Sequence, residues 1–88
     1  MNLKLRKQNG RLCLLQIKST GNGEFDILRR THYGTADFDF HLRPEGKGYE
    51  VLVFNSRIKD HDDAFIGGYD NDMTFGEAVD FAVEFAAR

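Results

Sequence analysis

The sequence predicts an α+β fold, an antiparallel β-meander of four to five strands with one C-terminal α-helix packed on one face. Apolar and polar residues alternate through the first two thirds of the chain between glycine-containing turn signals, as half-buried antiparallel strands require. Residues 75–87 instead repeat apolar side chains at helical spacing. A length of 88 residues supports one hydrophobic core, which predicts a single domain over residues 1–88.

Four turn signals divide the first part of the chain into strands. Asn9-Gly10 suits a type I′ hairpin turn, because both central residues of that turn need positive φ, and Gly21-Asn22-Gly23 is a second turn. Tyr33-Gly34 is a third, and residues 44–48 are expected to form a fourth, longer loop. The predicted strands lie near residues 2–8, 11–19, 24–32, 35–43 and 48–56.

The turn lengths set the strand register and so decide which side chains face the core. A short loop after the second strand places Ile17 opposite Phe25, and a two-residue turn after the third places Ile27 opposite Phe40. A five-residue loop after the fourth strand pairs Phe40 with Leu52. The predicted core face then carries Cys13, Leu15, Ile17, Phe25, Ile27, Phe38, Phe40, Leu42, Leu52 and Phe54.

The opposite face of the predicted sheet carries a mixed apolar and polar patch, and the sequence contains no second long helix to cover it. A patch that is too apolar to stay wet and too charged for a core is typical of an interface. A curled sheet could instead bury most of it within the chain. The residues predicted to bind a protein partner there, or to form a homodimer, are Leu12, Leu14, Leu28, His41, Tyr49, Val51 and Val53.

The C-terminal helix has a defined start signal. Thr74 followed by Glu77 is a capping box, in which each side chain accepts a hydrogen bond from a free backbone N–H at the helix start. The predicted helix spans about residues 75–87. Its apolar stripe, expected to cover the core face of the sheet, consists of Phe75, Ala78, Val79, Ala82, Phe85 and Ala86.

Residues 59–73 are predicted to form an acidic loop that contains five aspartates. Their spacing lacks the glycine and the final glutamate of an EF-hand loop. Asp60, Asp62 and Asp72 are weak candidates for a looser magnesium or manganese site, and a metal-binding protein or metal-dependent enzyme is the third functional hypothesis. A solvated loop whose last carboxylates favour the helix start explains the same residues, so no metal or cofactor is predicted. Phe65–Tyr69 is expected to return to the sheet edge as a short strand or plug.

No segment carries a catalytic signature, and the chain is predicted not to be an enzyme. His41 is expected opposite Asp26 in the neighbouring strand, but a carboxylate–imidazole pair there is more often an exposed cross-strand ion pair than a catalytic one. Cys13 lies between Leu12 and Leu14, which favours a buried structural thiol over a reactive nucleophile.

Charge divides unevenly along the chain. Residues 1–33 carry a formal net charge of +5 and residues 34–88 one of −7. A bipolar molecule can associate head to tail or steer a charged partner. The basic strands could also follow a phosphate backbone, so RNA or DNA binding is the alternative function, although the acidic remainder would repel the same backbone. The candidate residues for nucleic acid are Lys4, Arg6, Lys7, Arg11, Arg29 and Arg30.

The leading hypothesis is a small non-catalytic interaction module that binds a protein partner through the open sheet face or the acidic loop. Such a module would act as an inhibitor or modulator of a larger assembly. The single cysteine cannot form an intrachain disulfide, and no segment has the apolar length of a signal peptide or membrane span. A cytoplasmic location without a membrane partner is therefore expected.

Overall fold

The chain forms an antiparallel sheet in which every strand pairs with the next one along the sequence. A computed structural model describes residues 2–8, 11–30 and 38–86. Its elements are β1 (Asn2–Gln8), β2 (Arg11–Gly21), β3 (Glu24–Arg30), β4 (Phe38–Glu45), β5 (Gly48–Asn55), α1 (His61–Ala64), β6 (Phe65–Met73) and α2 (Phe75–Ala86). The strand order is β1-β2-β3-β4-β5-β6, and α2 packs against the sheet. The predicted α+β meander with a C-terminal helix is confirmed, and β6 adds a sixth strand.

The β2–β3 turn consists of residues that accept positive φ. Gly21, Asn22 and Gly23 have φ of 99°, 55° and 75°. The turn is tighter than predicted, so Ile17 lies opposite Ile27 instead of Phe25. A shift of two residues leaves every side chain on its predicted face.

The β3–β4 register agrees with the prediction, with Ile27 opposite Phe40 and Phe25 opposite Leu42. The turn that connects these strands, predicted at Tyr33-Gly34, lies outside the described residues. The predicted turn at Asn9-Gly10 also lies outside the described residues. So do the side chains of Cys13 and Leu15, which were predicted to lie in the core.

The turn between β4 and β5 is shorter than the predicted five-residue loop. Glu45 pairs with Gly48, which leaves a two-residue turn at 46–47 that begins with Gly46 at φ 57°. As a result, Phe40 lies opposite Val53 and not Leu52. This is a shift of one residue, and a one-residue shift moves each side chain of a strand to the other face.

The faces predicted for β5 are therefore wrong. Val51 and Val53 were expected on the open face, but both are completely buried between the sheet and α2. Tyr49 shares their face and packs on Phe75 of α2, with ring centroids 5.7 Å apart. Leu52 and Phe54, expected in the core, lie on the opposite face.

One hydrophobic core fills the space between the sheet and α2. Phe85 of α2 packs onto the sheet and meets the rings of Phe38 and Phe40 edge to face, at centroid distances of 5.2 and 5.8 Å. Burial of one such aromatic side chain contributes roughly 1.5–3 kcal/mol. The core residues are Ile17, Ile27, Phe40, Leu42, Val51, Val53, Met73, Ala78, Val79, Ala82, Phe85 and Ala86.

Helix α2 begins at the predicted capping box. The Thr74 backbone N–H donates to Glu77 Oε1 (3.0 Å), and the Glu77 N–H donates to Thr74 Oγ1 (3.1 Å). These two bonds satisfy two of the backbone donors that a helix start leaves free.

The segment predicted as an acidic loop forms a short helix and an edge strand. Asp60 caps α1, since its Oδ1 accepts from the Asp63 N–H at 3.1 Å. Strand β6 then pairs with β5 from Phe54↔Phe65 to Tyr49↔Met73. The expectation that this segment returns to the sheet edge is confirmed, and the strand is longer than predicted.

Candidate functional site

The sheet face turned away from α2, which we call the outer face, carries a shallow groove of about 620 Å³. Leu28, Leu52 and Phe54 supply its apolar walls, and Asp39 and His41 supply polar groups. The predicted candidates Leu28 and His41 therefore lie on this face. Tyr49, Val51 and Val53 do not, and the side chains of Leu12 and Leu14 lie outside the described residues.

Residues 55–64 border one end of the groove. Asn55 starts this turn, with its Oδ1 accepting from the Arg57 N–H at 2.9 Å and its carbonyl accepting from the Ile58 N–H at 3.2 Å. The imidazole of His61 lies on the Phe54 ring, with centroids 4.4 Å apart and planes 30° from parallel. The segment therefore covers part of the apolar surface of the outer face.

His41 holds two carboxylates at the centre of the outer face. Its Nδ1 lies 2.6 Å from Asp26 Oδ1, and its Nε2 lies 2.7 Å from Glu24 Oε1. The Asp26 pairing was predicted from the sequence and is confirmed. Glu24 was missed, although it lies two residues from Asp26 and a strand places such residues on the same face.

This arrangement favours a charged imidazole. Partial burial opposes protonation of His41, but hydrogen bonds to Asp26 and Glu24 and their negative charges outweigh that cost and raise the pKa of His41. A protonated ring donates from both nitrogens, so both are occupied and neither can accept a proton from a substrate. The cluster links β3 to β4 through side-chain hydrogen bonds, and it is unsuited to general base catalysis.

A second ion pair joins β4 to β5 on the same face. Arg43 Nε lies 2.5 Å from Glu50 Oε1, and the two residues are directly opposite in the ladder. Together with the His41 cluster, this pair makes the middle of the outer face polar and internally satisfied. Apolar surface on this face is supplied by Leu28, Leu52 and Phe54 of the groove and by Phe65, whose ring lies 5.6 Å from that of Phe54.

The predicted nucleic-acid residues lie on three adjacent strands. Lys4, Arg6 and Lys7 belong to β1, Arg11 to β2, and Arg29 and Arg30 to β3. The ladder pairs Arg11 with Gln8, Arg29 with Leu15 and Arg30 with Leu14. Their side chains lie outside the described residues, so RNA or DNA binding remains a prediction.

The three weak metal candidates do not converge. Asp60 and Asp62 lie just before β6 begins, and Asp72 lies near its end. Strand β6 runs beside residues 49–54 of β5, with two register shifts, so its two ends are separated by roughly 17 Å at 3.3 Å per residue. In the part of the chain that the structure describes, no group of three or more His, Cys, Asp or Glu side chains is arranged to hold a metal ion.

Strand β6 forms one edge of the described sheet, and it exposes large apolar side chains. Phe65, Ile66 and Tyr69 are 48%, 46% and 36% exposed. Gly67 and Gly68 lie between Ile66 and Tyr69, and the Tyr69 ring packs over Gly67. An edge strand presents a row of backbone N–H and C=O groups that a further strand can pair with.

The surroundings of β6 are strongly acidic. Between Lys59 and Arg88 the chain contains no lysine or arginine. It contains eight carboxylates in that stretch, namely Asp60, Asp62, Asp63, Asp70, Asp72, Glu77, Asp80 and Glu84. All eight are exposed. We call β6 together with these carboxylates the acidic edge.

Helix α2 contributes to the acidic edge because it lies beside β6. The Phe81 ring contacts the Tyr69 ring at a centroid distance of 4.8 Å. Glu77 and Glu84 are four and three residues from Phe81, so they share its side of the helix. The acidic edge therefore includes carboxylates from α1, from α2 and from β6 itself.

Within residues 2–8, 11–30 and 38–86, no helix has the length and apolar composition needed to span a membrane. Comparison of the chain with protein-family models, with curated proteins and with solved structures found no significant match.

Proposed function

We propose that the chain is a protein-binding module that accepts an extended, basic segment of its partner as an additional strand on β6. One observation supports this most directly: β6 is an edge strand with exposed Phe65, Ile66 and Tyr69, and every charged residue from position 60 to 84 is acidic. The proposal retains the protein-binding function predicted from the sequence and assigns it to the acidic edge.

Strand addition explains why backbone, apolar and acidic groups occur together here. Main-chain hydrogen bonds from the partner would satisfy the outer N–H and C=O groups of β6 and provide affinity. The exposed apolar side chains would pack against alternate side chains of the added strand. Basic residues in that strand would meet Asp70, Asp72 and the neighbouring carboxylates, which gives selectivity and a faster encounter.

The outer face supports partner binding less well than the acidic edge. A protein that covered it would have to desolvate the ion pairs of His41 and Arg43, and burying charged groups is costly unless the new contacts compensate fully. Strand addition at β6 requires no such desolvation, because the carboxylates can stay at the rim of the interface.

The proposal can be tested with three seven-residue peptides and ¹⁵N-labelled protein. The probe KVKVKVK supplies a basic strand, EVEVEVE reverses its charge, and KVKPKVK disrupts strand pairing while keeping all four lysines. We expect KVKVKVK to shift the backbone amide signals of β6, with an affinity that falls as salt increases. EVEVEVE should not bind, and KVKPKVK should bind at least about tenfold more weakly.

A pair of variants locates the binding surface. Ile66→Lys adds a positive charge to the edge strand and should weaken KVKVKVK binding, whereas Ile58→Lys makes the same change at an isoleucine of similar exposure outside β6. Binding that Ile58→Lys abolishes and Ile66→Lys leaves intact would overturn the proposal. So would tight binding of a short single-stranded RNA by a protein that ignores KVKVKVK.

A further inference from the structure

We infer that the basic strand accepted by β6 is β1 of a second copy of this chain, an inference that rests on the proposed function. Strand β1 is the opposite edge of the described sheet and has the sequence NLKLRKQ. Lys4, Arg6 and Lys7 are its only charged residues. The chain therefore carries a basic edge strand and an acidic edge strand at the two ends of one sheet.

Strand direction allows the two edges to join without turning a molecule over. The described sheet contains six strands that alternate in direction, so β1 and β6 run antiparallel to each other. When a second copy is moved along the sheet in the same orientation, its β1 comes beside β6 of the first copy and antiparallel to it. An odd number of strands would have produced a parallel contact instead.

Charge selects this contact over the two symmetric ones. A two-fold dimer through β6 would bring two acidic edges together, and one through β1 would bring two basic strands together. Like charges across an interface oppose association, whereas opposite charges promote it. The sequence-wide division, +5 for residues 1–33 and −7 for residues 34–88, acts in the same direction.

A β1–β6 contact is head to tail and leaves one free edge of each kind on every open assembly. Such contacts produce closed rings or open chains rather than a simple dimer. Because sheets twist by about 20–25° per strand, successive copies would be rotated relative to each other. We therefore expect association that grows with protein concentration and weakens by roughly tenfold or more from low to high salt.

Sedimentation velocity of the full chain and two charge-reversed variants tests the inference. The β1-reversed variant carries Lys4→Glu, Arg6→Glu and Lys7→Glu. The β6-reversed variant carries Asp62→Lys, Asp63→Lys, Asp70→Lys, Asp72→Lys and Glu84→Lys, which together change the formal charge of the acidic edge from −8 to +2. Wild type should form species larger than dimers at low salt, and each variant alone should remain monomeric because both of its edges then have the same sign.

Mixing the two variants in equal amounts is the decisive test of the β1–β6 contact. The acidic β1 of one variant matches the basic β6 of the other, so the mixture should regain association that neither variant shows alone. Circular dichroism in the far ultraviolet checks that both variants fold. Should one fail to fold, the other must still be monomeric where wild type assembles. Association of either variant alone to the wild-type extent overturns the inference.

The same samples separate this inference from the proposed function. A wild-type chain that stays monomeric at low salt, yet shifts its β6 amide signals with KVKVKVK, refutes self-association and keeps the basic-strand site. A chain that neither self-associates nor binds the peptide at β6 refutes both. Assembly of wild type together with β6 shifts by the free peptide supports both, and the peptide should then dissolve the assemblies by competition.

Discussion

Gly48 lies so close to the backbone of residues 72–73 in β6 that a single added carbon atom would displace this strand. An ideal Cβ at position 48 would lie 2.6 Å from the backbone carbonyl carbon of Asp72 and 2.8 Å from its oxygen, and it would also clash with the Met73 carbonyl oxygen. Carbon atoms in contact are normally about 3.5–4.0 Å apart. Since all three obstacles are backbone atoms, no side-chain rotation can relieve the overlap, and Gly48→Ala must displace β6 from β5.

The expected cost of Gly48→Ala is about 2–3 kcal/mol, because overpacking in a fitted position typically costs about 1–3 kcal/mol and rigid backbone neighbours lie at the upper end. A chain of this length has a total stability of roughly 4–13 kcal/mol. The midpoint of thermal unfolding should fall by about 4–8 °C for each kcal/mol. Urea unfolding followed by circular dichroism measures the difference.

Gly76→Ala is the matched control, because it makes the same chemical change but is expected to raise the free energy of unfolding instead of lowering it. Gly76 lies in the first turn of α2, and a Cβ at position 76 would have open space around it, with Thr74 Oγ1 at 4.0 Å. Alanine in a helix is about 0.5–1 kcal/mol better than glycine, so this variant should be stabilised. If Gly48→Ala unfolds at the wild-type urea concentration, the close approach of residues 72–73 to Gly48 is wrong, and with it the pairing that holds the acidic edge.

Three further predictions concern the core face, the outer face and the helix cap. Val53→Glu should destabilise the protein by about 4 kcal/mol or more, because it places a carboxylate in the core. Leu52→Glu, on the outer face, should cost only about 1 kcal/mol. Urea unfolding of both variants compares the two faces of β5. The stabilisation that the charged His41 ring contributes should be complete below the ordinary histidine pKa of about 6.5. It should be lost as the pH rises through the raised pKa of His41 in the folded protein. The variant His41→Gln should remove this pH dependence of the free energy of unfolding. Thr74→Ala should cost about 1 kcal/mol by removing one half of the capping box, as thermal unfolding can show.

Specific results would contradict these expectations. Equal destabilisation by Val53→Glu and Leu52→Glu would mean that the β4–β5 register does not place Val53 in the core and Leu52 outside it. A stability that rises with pH in the histidine range would mean that His41 folds as a neutral ring. No loss of stability in Thr74→Ala would mean that α2 does not depend on its cap.

The parts of the fold that short-range chemistry determines were predictable. Thr74 and Glu77 are three residues apart, so their reciprocal hydrogen bonds follow from the helix geometry alone. The β3–β4 register followed from alternation, because a one-residue slip between Ile27 and Phe40 would have left one of them out of the core. His41 and Asp26 then had to be neighbours on the other face.

The face of β5 was not predictable from its own residues, because both faces of Tyr49–Phe54 contain large apolar side chains. Only the length of the β4–β5 turn distinguishes them, and Pro44 suggested a loop that begins earlier than it does. Pro44 instead remains in β4 opposite Tyr49. The wrong register assigned Val51 and Val53 to the outer face instead of the core. Both residues were therefore wrongly included among the residues predicted to bind a partner.

Strand β6 was predicted only as a short strand or plug at Phe65–Tyr69, and its full length was missed for a different reason. Its sequence, FIGGYDNDM, has no alternation of apolar and polar residues and contains two glycines and two aspartates, which favour a loop. Tertiary contacts overcome this local preference, since Tyr69 packs on Phe81 and the backbone of residues 72–73 packs on Gly48. The available signal was the group of three large apolar side chains, Phe65, Ile66 and Tyr69, within an otherwise polar segment.

Amide hydrogen exchange of β6 tests the central claim most directly, because it reports on the backbone groups that an added strand would bond. We expect the outward-facing amides between Phe65 and Asp72 to exchange rapidly in dilute wild-type protein and at least about tenfold more slowly once KVKVKVK or a second copy is bound. Unchanged exchange along β6, with new protection at Leu52, Phe54 and the rest of the outer face, would contradict strand addition at β6 and place the binding surface on the outer face.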